Sequence, residues 1–157
     1  MEWYKFNGEK LKYPIEVMVD LAIVHEMSNG NKIKVCVGTD SQVKGTLTQF
    51  ATVLLFLREK KGGYIYFTRQ KSALKLSIKE RMIAEVTMSI QWTYELFPIL
   101  QKYSIPLEVH ADINTDSTFK SNTALKEAMG YIMGMGYVFK AKPEAFASSY
   151  CADRLVH

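Results

Sequence analysis

Two cysteines in 157 residues are too few for a disulfide framework. Both, Cys36 and Cys151, fall inside segments that read as regular structure. They are expected to be reduced, semi-buried thiols of an intracellular protein. No apolar run approaches the roughly 18 residues that a membrane-spanning helix requires. The opening Met1-Glu2-Trp3-Tyr4-Lys5 lacks the charged-then-apolar pattern of a signal peptide, so the expected compartment is the cytoplasm, with no membrane partner. A Walker loop, a Cys/His zinc spacing and a nucleophile elbow are also missing, which sets aside three common routes to phosphate, zinc and acyl chemistry. There is no internal repeat, no low-complexity segment and no linker long enough to split the chain.

What is present is ordinary globular composition, 48% hydrophobic and 23% charged. The net charge of +4 is a mild basic excess that permits a polyanionic partner. The length fits one domain over 1–157, with 1–31 as an N-terminal helical extension.

Periodicity orders the elements. Residues 1–13 follow no clear period. Pro14 can open a helix that carries Ile15, Met18, Val19, Ala22 and Ile23 on one face and ends at Ser28-Asn29-Gly30-Asn31. Three strands follow, at 33–39, 48–57 and 64–69, with turns at Gly45 and at Gly62-Gly63. Ser77-Ile78-Lys79-Glu80 reads as a capping box. The helix it opens runs to about Lys102, bent near Pro98. A strand at 107–111, a helix at 121–134, a strand at 137–140 and a last helix from Pro143 complete the chain. Short turns make the first three strands antiparallel, and helical crossovers make the later ones parallel. The expected fold is an α/β mixed five-stranded sheet with helices on both faces.

Four acids stand out. Asp40 closes the run Val35-Cys36-Val37-Gly38-Thr39, and Asp112 closes Leu107-Glu108-Val109-His110-Ala111. Strand ends of this kind line the ligand crevice of an open α/β sheet. Glu85 sits about 60° off the stripe of Met82, Val86 and Ile90, on the shoulder of the buried face. Asp153 lies in Cys151-Ala152-Asp153-Arg154-Leu155, on the last helix. Each acid alone also fits a plain role: a turn for Asp40 and Asp112, an ion pair with Arg81 for Glu85, a solvated helix face for Asp153.

Their joint order is more telling. Acids on the first strand, the first crossover helix, the fourth strand and the last helix resemble the arrangement of the ribonuclease H superfamily, over about 33–157. Gly38-Thr39-Asp40-Ser41-Gln42 is similar to its first-strand motif, and Ala152-Asp153-Arg154-Leu155 to its A-D-x-L last-helix motif. Arg81 with Glu85 and Ser89, His110, Asp112 and Asn114, Gly134 to Gly136, Lys142-Pro143 and Ala147-Ser148-Ser149 narrow the resemblance to the YkuK-like group of bacterial proteins. Asn114 stands where that group is expected to carry Gly.

The resemblance implies a nuclease that hydrolyses phosphodiester bonds of RNA, RNA–DNA hybrid or structured DNA with two Mg²⁺ or Mn²⁺ ions. Such ions suit carboxylates because both are hard and prefer oxygen. It implies that Asp40 bridges both ions, that Glu85 and Asp112 hold one, and that Asp153 holds the other. His110, Asn114, Asp116 and Ser41 would surround them. His110 shares strand parity with Asp112 and so could assist or transfer a proton there, although a partly buried structural histidine is the plainer reading. Lys120, Lys140 and Lys142 are candidate phosphate contacts, although plain solvated charges fit them as well. Clustered carboxylates are expected to have raised pKa values without metal, and metal is expected to stabilise the fold.

Asp112-Ile113-Asn114-Thr115-Asp116 imitates the start of an EF-hand loop, but Ser117 and Thr123 replace its required Gly and Glu. The alternative to a nuclease is a catalytically silent nucleic-acid-binding or scaffold domain, in which exposed Trp3, Tyr4, Tyr64 and Tyr66 serve for stacking. A phosphate-handling half of the actin or sugar-kinase type would need a second lobe, for which the chain is too short.

Overall fold

Runs rich in β-branched and aromatic residues between 33 and 72 form three long strands, and consecutive residues in them are buried because both faces of the sheet are covered. The strands are β2 (Ile33–Lys44), β3 (Leu47–Arg58) and β4 (Gly62–Ser72). Before them come β1 (Tyr4–Lys5) and helix α1 (Ile15–Ser28). After them come α2 (Ile78–Lys102), β5 (Leu107–His110), α3 (Thr123–Gly134) and β6 (Val138–Lys140). A π-helical segment (Ala147–Ala152) then leads directly into α4 (Asp153–Val156). The computed structural model describes residues 1–111, 122–140, 144, 145 and 147–156, without the side chains at 124, 148–150 and 153.

The sheet has six strands in the order β1-β4-β3-β2-β5-β6. β2, β3 and β4 are antiparallel, while β5 and β6 join in parallel. The mixed topology is the expected one, but the strand count is six rather than five. The extra strand is β1, which pairs Tyr4 with Phe67 and Lys5 with Tyr66 at the sheet edge. Two residues are too few to show a period, so only pairing reveals them.

The hairpin strands also run further than their apolar cores. β2 continues through Gln42 to Lys44 because each of those residues still has a ladder partner on β3. Gly45, with φ of 64°, turns the chain between them. Gly63 belongs to β4 rather than to a turn. A Cβ there would stand 2.6 Å from the Phe56 carbonyl oxygen, so only glycine fits the close strand approach.

The two sheet faces are covered differently. Val35, Val37, Leu54, Phe56 and Tyr66 share a core cluster with Ile15, Val19 and Ile23 of α1 and with Val86, Ile90, Leu96 and Leu100 of α2. Cys36, Val53, Leu55, Ile65 and Phe67 point the other way and meet Ala147 and Ala152 of the C-terminal segment. Helices therefore flank both faces, as the crossovers require. The aromatics expected at the surface are instead packed. Trp3 is buried edge-on against Trp92, with ring centroids 4.8 Å apart, and Tyr66 is buried. Tyr4 and Tyr64 are half-buried against Phe67 and Phe56. Burying such rings removes far more apolar area from water than a stacking surface could spare.

Helix α2 begins where the capping box places it. Ser77 Oγ accepts from the Glu80 N–H at 3.1 Å, and the Ser77 N–H donates to Glu80 Oε1 at 3.2 Å. The helix continues through Pro98 to Lys102. Ser77→Ala is expected to lower stability by about 1 kcal/mol in urea denaturation. No measurable loss would show that packing alone sets this helix end.

Candidate functional site

The site is built by matching a strand to a helix. Thr39 Oγ1 on β2 bonds Thr52 Oγ1 at 2.9 Å and Ser89 Oγ on α2 at 2.8 Å. All three residues are buried. Thr93 Oγ1 donates to the Ser89 carbonyl oxygen at 2.8 Å, one turn further on. Two residues along a strand span about 6.7 Å, and four along a helix about 6 Å. One step beyond the Thr39–Ser89 bond therefore brings Ser41 opposite Glu85. There the Ser41 hydroxyl donates a hydrogen bond to Glu85 Oε1.

Glu85 is only 8% exposed. Burial pushes its carboxyl up to about 7, the Ser41 hydroxyl opposes the rise, and the nearby Asp40 charge adds to it. Arg81 acts on Glu85 as a weaker opposing charge, not as the ion-pair partner that its spacing suggested. Arg81 is half-buried, and its Nε–H has no hydrogen-bond partner among the described residues.

Asp40 lies inside β2 rather than at its end. The parallel pairing with β5 stops at Gly38 opposite His110, so Asp40 stands just past the carboxyl end of that pairing. It is 8% exposed and shares parity with Cys36, whose face carries the C-terminal segment. Asp153 opens α4 in that segment, directly after the π-helical residues. Its side chain, and all of Asp112, Asn114 and Asp116, lie outside the described residues. So do Lys120 and Lys142, whereas Lys140 is 3.7 Å from Glu144. The structure thus brings Ser41 against Glu85, with the Asp40 charge near enough to act on that carboxyl from the next residue of β2.

A second polar cluster escaped the sequence reading of single acids. Cys36, Glu108 and His110 lie on adjacent paired strands with donor atoms within 4.8 Å of one another. His110 is fully buried. The Ala147 N–H donates to its Nδ1 at 3.1 Å, so the ring proton must sit on Nε2. Nε2 then donates to Glu108 Oε1 at 2.9 Å, while Lys34 Nζ donates to Glu108 Oε2 at 2.8 Å. Burial lowers the His110 pKa, against the opposing pull of Glu108, which favours this neutral ring. Burial together with the Glu108 charge pushes the Cys36 thiol up to about 12.

The three donors are near enough for one metal ion. Holding it would require removing the thiol proton and giving up the Ala147 bond, because a neutral ring that ligates through Nε2 carries its proton on Nδ1. In its hydrogen-bonded state, the cluster fastens the C-terminal segment to β5. The signal available in sequence was the i, i+2 pair Glu108 and His110 beside the registered Cys36. Both cysteines are free, Cys36 buried and Cys151 half-buried.

A cavity of about 770 Å³ lies elsewhere, over Leu55, Gly63 and Ile65, between Phe6 and Arg154. Leu55 pairs with Cys36 and Ala51 with Asp40, so its floor is roughly 13 Å along the strand from Asp40. Among the described residues no carboxylate lines it, and it is not the acidic site. No helix among the described residues is long and apolar enough to cross a membrane.

No curated protein and no solved structure matches the chain. A family model described as Ribonuclease H-like matches residues 16–157, from α1 to the C-terminal residue. With its mixed sheet, its flanking helices and this match over most of its length, the chain belongs to the ribonuclease H-like family.

Proposed function

We propose that the protein is a cytoplasmic, divalent-metal-dependent nuclease that hydrolyses phosphodiester bonds of RNA, RNA–DNA hybrid or structured DNA. The observation that carries this reading is the buried pair Asp40 and Glu85. These are two acids drawn from a strand and a helix, one raised by burial and further by the charge of the other, and the charge of a hard cation nearby would relieve both. Oxygen donors of this kind fit Mg²⁺ or Mn²⁺. The reading assigns Asp40, Glu85, Asp112 and Asp153 as the residues that would hold the ions. When bound, such ions polarise the phosphate and lower the pKa of the attacking water.

The chain's own groups have narrower tasks. Ser41 orients the Glu85 carboxylate by donating to it. Arg81 lowers the cost of the Glu85 charge from one turn away on α2. His110 holds the segment that leads to Asp153 through the Ala147 amide. The reading takes 1–157 as a single domain whose 1–31 extension contributes α1 to the main core.

The test is cleavage of single-stranded RNA, hybrid and branched DNA by purified protein in Mn²⁺, with Asp40→Asn as control. Cleavage that is lost with a chelator and lost in Asp40→Asn is expected. No cleavage of any substrate, or full cleavage by Asp40→Asn, would overturn the assignment. In the first case the silent binding domain becomes the reading of choice.

A further inference from the structure

The connection from β4 to α2 contradicts the usual economy of a folded surface. Leu74 is 67% exposed and Ile78 is 79% exposed. Exposed loop tips that carry apolar residues are normally loose, but this one is fastened along its length. The buried Thr48 hydroxyl donates to the Leu74 carbonyl at 2.9 Å and accepts from the Leu76 N–H at 3.1 Å. Ser72 Oγ accepts from the Leu74 N–H at 3.3 Å, and the Ser77–Glu80 capping box fixes the next turn. Two apolar side chains are thus presented to water on a braced backbone, which costs hydration free energy without any packing in return.

Charge surrounds them on the same short stretch. Residues 69–81 contain Arg69, Lys71, Lys75, Lys79 and Arg81 against one acid, Glu80. Glu80 is engaged in the cap, and Arg69 donates to the Leu155 carbonyl. Lys71, Lys75 and Lys79 are exposed. The apolar pair and the lysines alternate at Lys71, Leu74, Lys75, Ile78 and Lys79.

The patch also points at the acidic site. Ile78, Arg81 and Glu85 are at i, i+3 and i+7, so they share one face of α2. Seven helical residues span about 10 Å, so Ile78 stands two turns from the Glu85 carboxyl along that face. A polyanion that reaches Glu85 from this side must pass over the connection.

We infer that the 71–79 connection is a nucleic-acid grip, in which Lys71, Lys75 and Lys79 contact phosphates and Leu74 and Ile78 insert against unstacked bases. Apolar side chains of this size act as wedges between base steps in other nucleic-acid-binding proteins, with flanking cations on the backbone. An anionic lipid surface would also accept cations beside apolar residues. The shared helix face with Arg81 and Glu85 favours a nucleic acid, since a membrane would gain nothing from a buried carboxyl. The inference rests on the reading of the acidic site as one that handles phosphodiesters.

The experiment is fluorescence anisotropy of labelled single-stranded RNA, RNA–DNA hybrid and DNA duplex, with full-length protein in chelator over a range of salt. The variants are K71Q/K75Q/K79Q and L74S/I78S, all at exposed positions, with thermal midpoints checked. The lysine variant is expected to lose about 2–3 from the slope of log K against log salt. The L74S/I78S variant is expected to bind about tenfold more weakly at every salt with the slope unchanged. Unchanged binding in either variant, or no binding by the natural chain at low salt, overturns the inference. So does sedimentation with phosphatidylserine vesicles that depends on Leu74 and Ile78 while oligonucleotide binding does not. Binding through this surface with no cleavage in Mn²⁺ leaves the grip standing and removes the nuclease. Cleavage with unaltered binding in both variants does the reverse.

Discussion

Replacing His110 with alanine is expected to cost about 3–5 kcal/mol of folding free energy. Three losses add. The buried ring leaves a cavity. The Ala147 N–H, which donates to Nδ1, is left buried without an acceptor. Glu108 loses its Nε2–H donor and, among the described residues, keeps Lys34. Urea denaturation measures the total, and hydrogen exchange at the Ala147 amide and through 147–156 locates it. His110→Asn should recover part of the loss, because its side-chain oxygen reaches the Nδ1 position and can accept from Ala147. An alanine variant within about 1 kcal/mol of the natural chain would show that the clamp is incidental.

The clamp has a defined pH sense. Burial leads the depression of the His110 pKa below 6.5. A depressed base favours the folded state when neutral. Its contribution is therefore complete above 6.5 and is lost as pH falls through the lower folded value.

The second large effect has the opposite sign. Glu85→Gln is expected to raise the stability of the metal-free protein by about 2–3 kcal/mol at about pH 8. Burial raises this carboxyl from 4.5 to about 7 on folding. A raised acid favours folding when protonated, so its contribution is complete below 4.5 and is lost as pH rises through about 7. Glutamine stays neutral and still offers an oxygen to the Ser41 hydroxyl. The advantage of the variant should therefore vanish near pH 4.5, where Glu85 is itself protonated.

Metal ties this to the proposed function. Mn²⁺ at about pH 8 should raise the unfolding midpoint of the natural chain and raise that of Glu85→Gln much less, because ligand binding to the native state adds RT ln(1 + [L]/Kd). Equal midpoints for the two proteins without metal would contradict the buried-charge account. No response of the natural chain to Mn²⁺ or Mg²⁺ would remove the metal site.

Local pattern foretold much of the fold. The capping box at Ser77 and Glu80 works through groups three residues apart, so it is readable in a string of letters and present in the structure. The hairpin of β2 and β3 followed from two apolar, β-branched runs and the turn at Gly45. The polar ends of β2 and β4 did not, because they are held by ladder partners rather than by burial. β1 was hidden for the same reason.

The sequence alone determined the order of the acids, the face that each residue takes on its own element, and the mixed topology. These follow from chain-local periods of 2 and 3.6 and from the lengths of the connections. Tertiary structure decided the partners. Ser41 meets Glu85 across 44 residues, Thr39 meets Ser89 across 50, and His110 meets the Ala147 amide across 37. A period shows that a side chain points inward but cannot show what stands opposite. That choice is made only when helix and strand settle at one height, and in this chain the buried Thr39–Ser89 bond marks it.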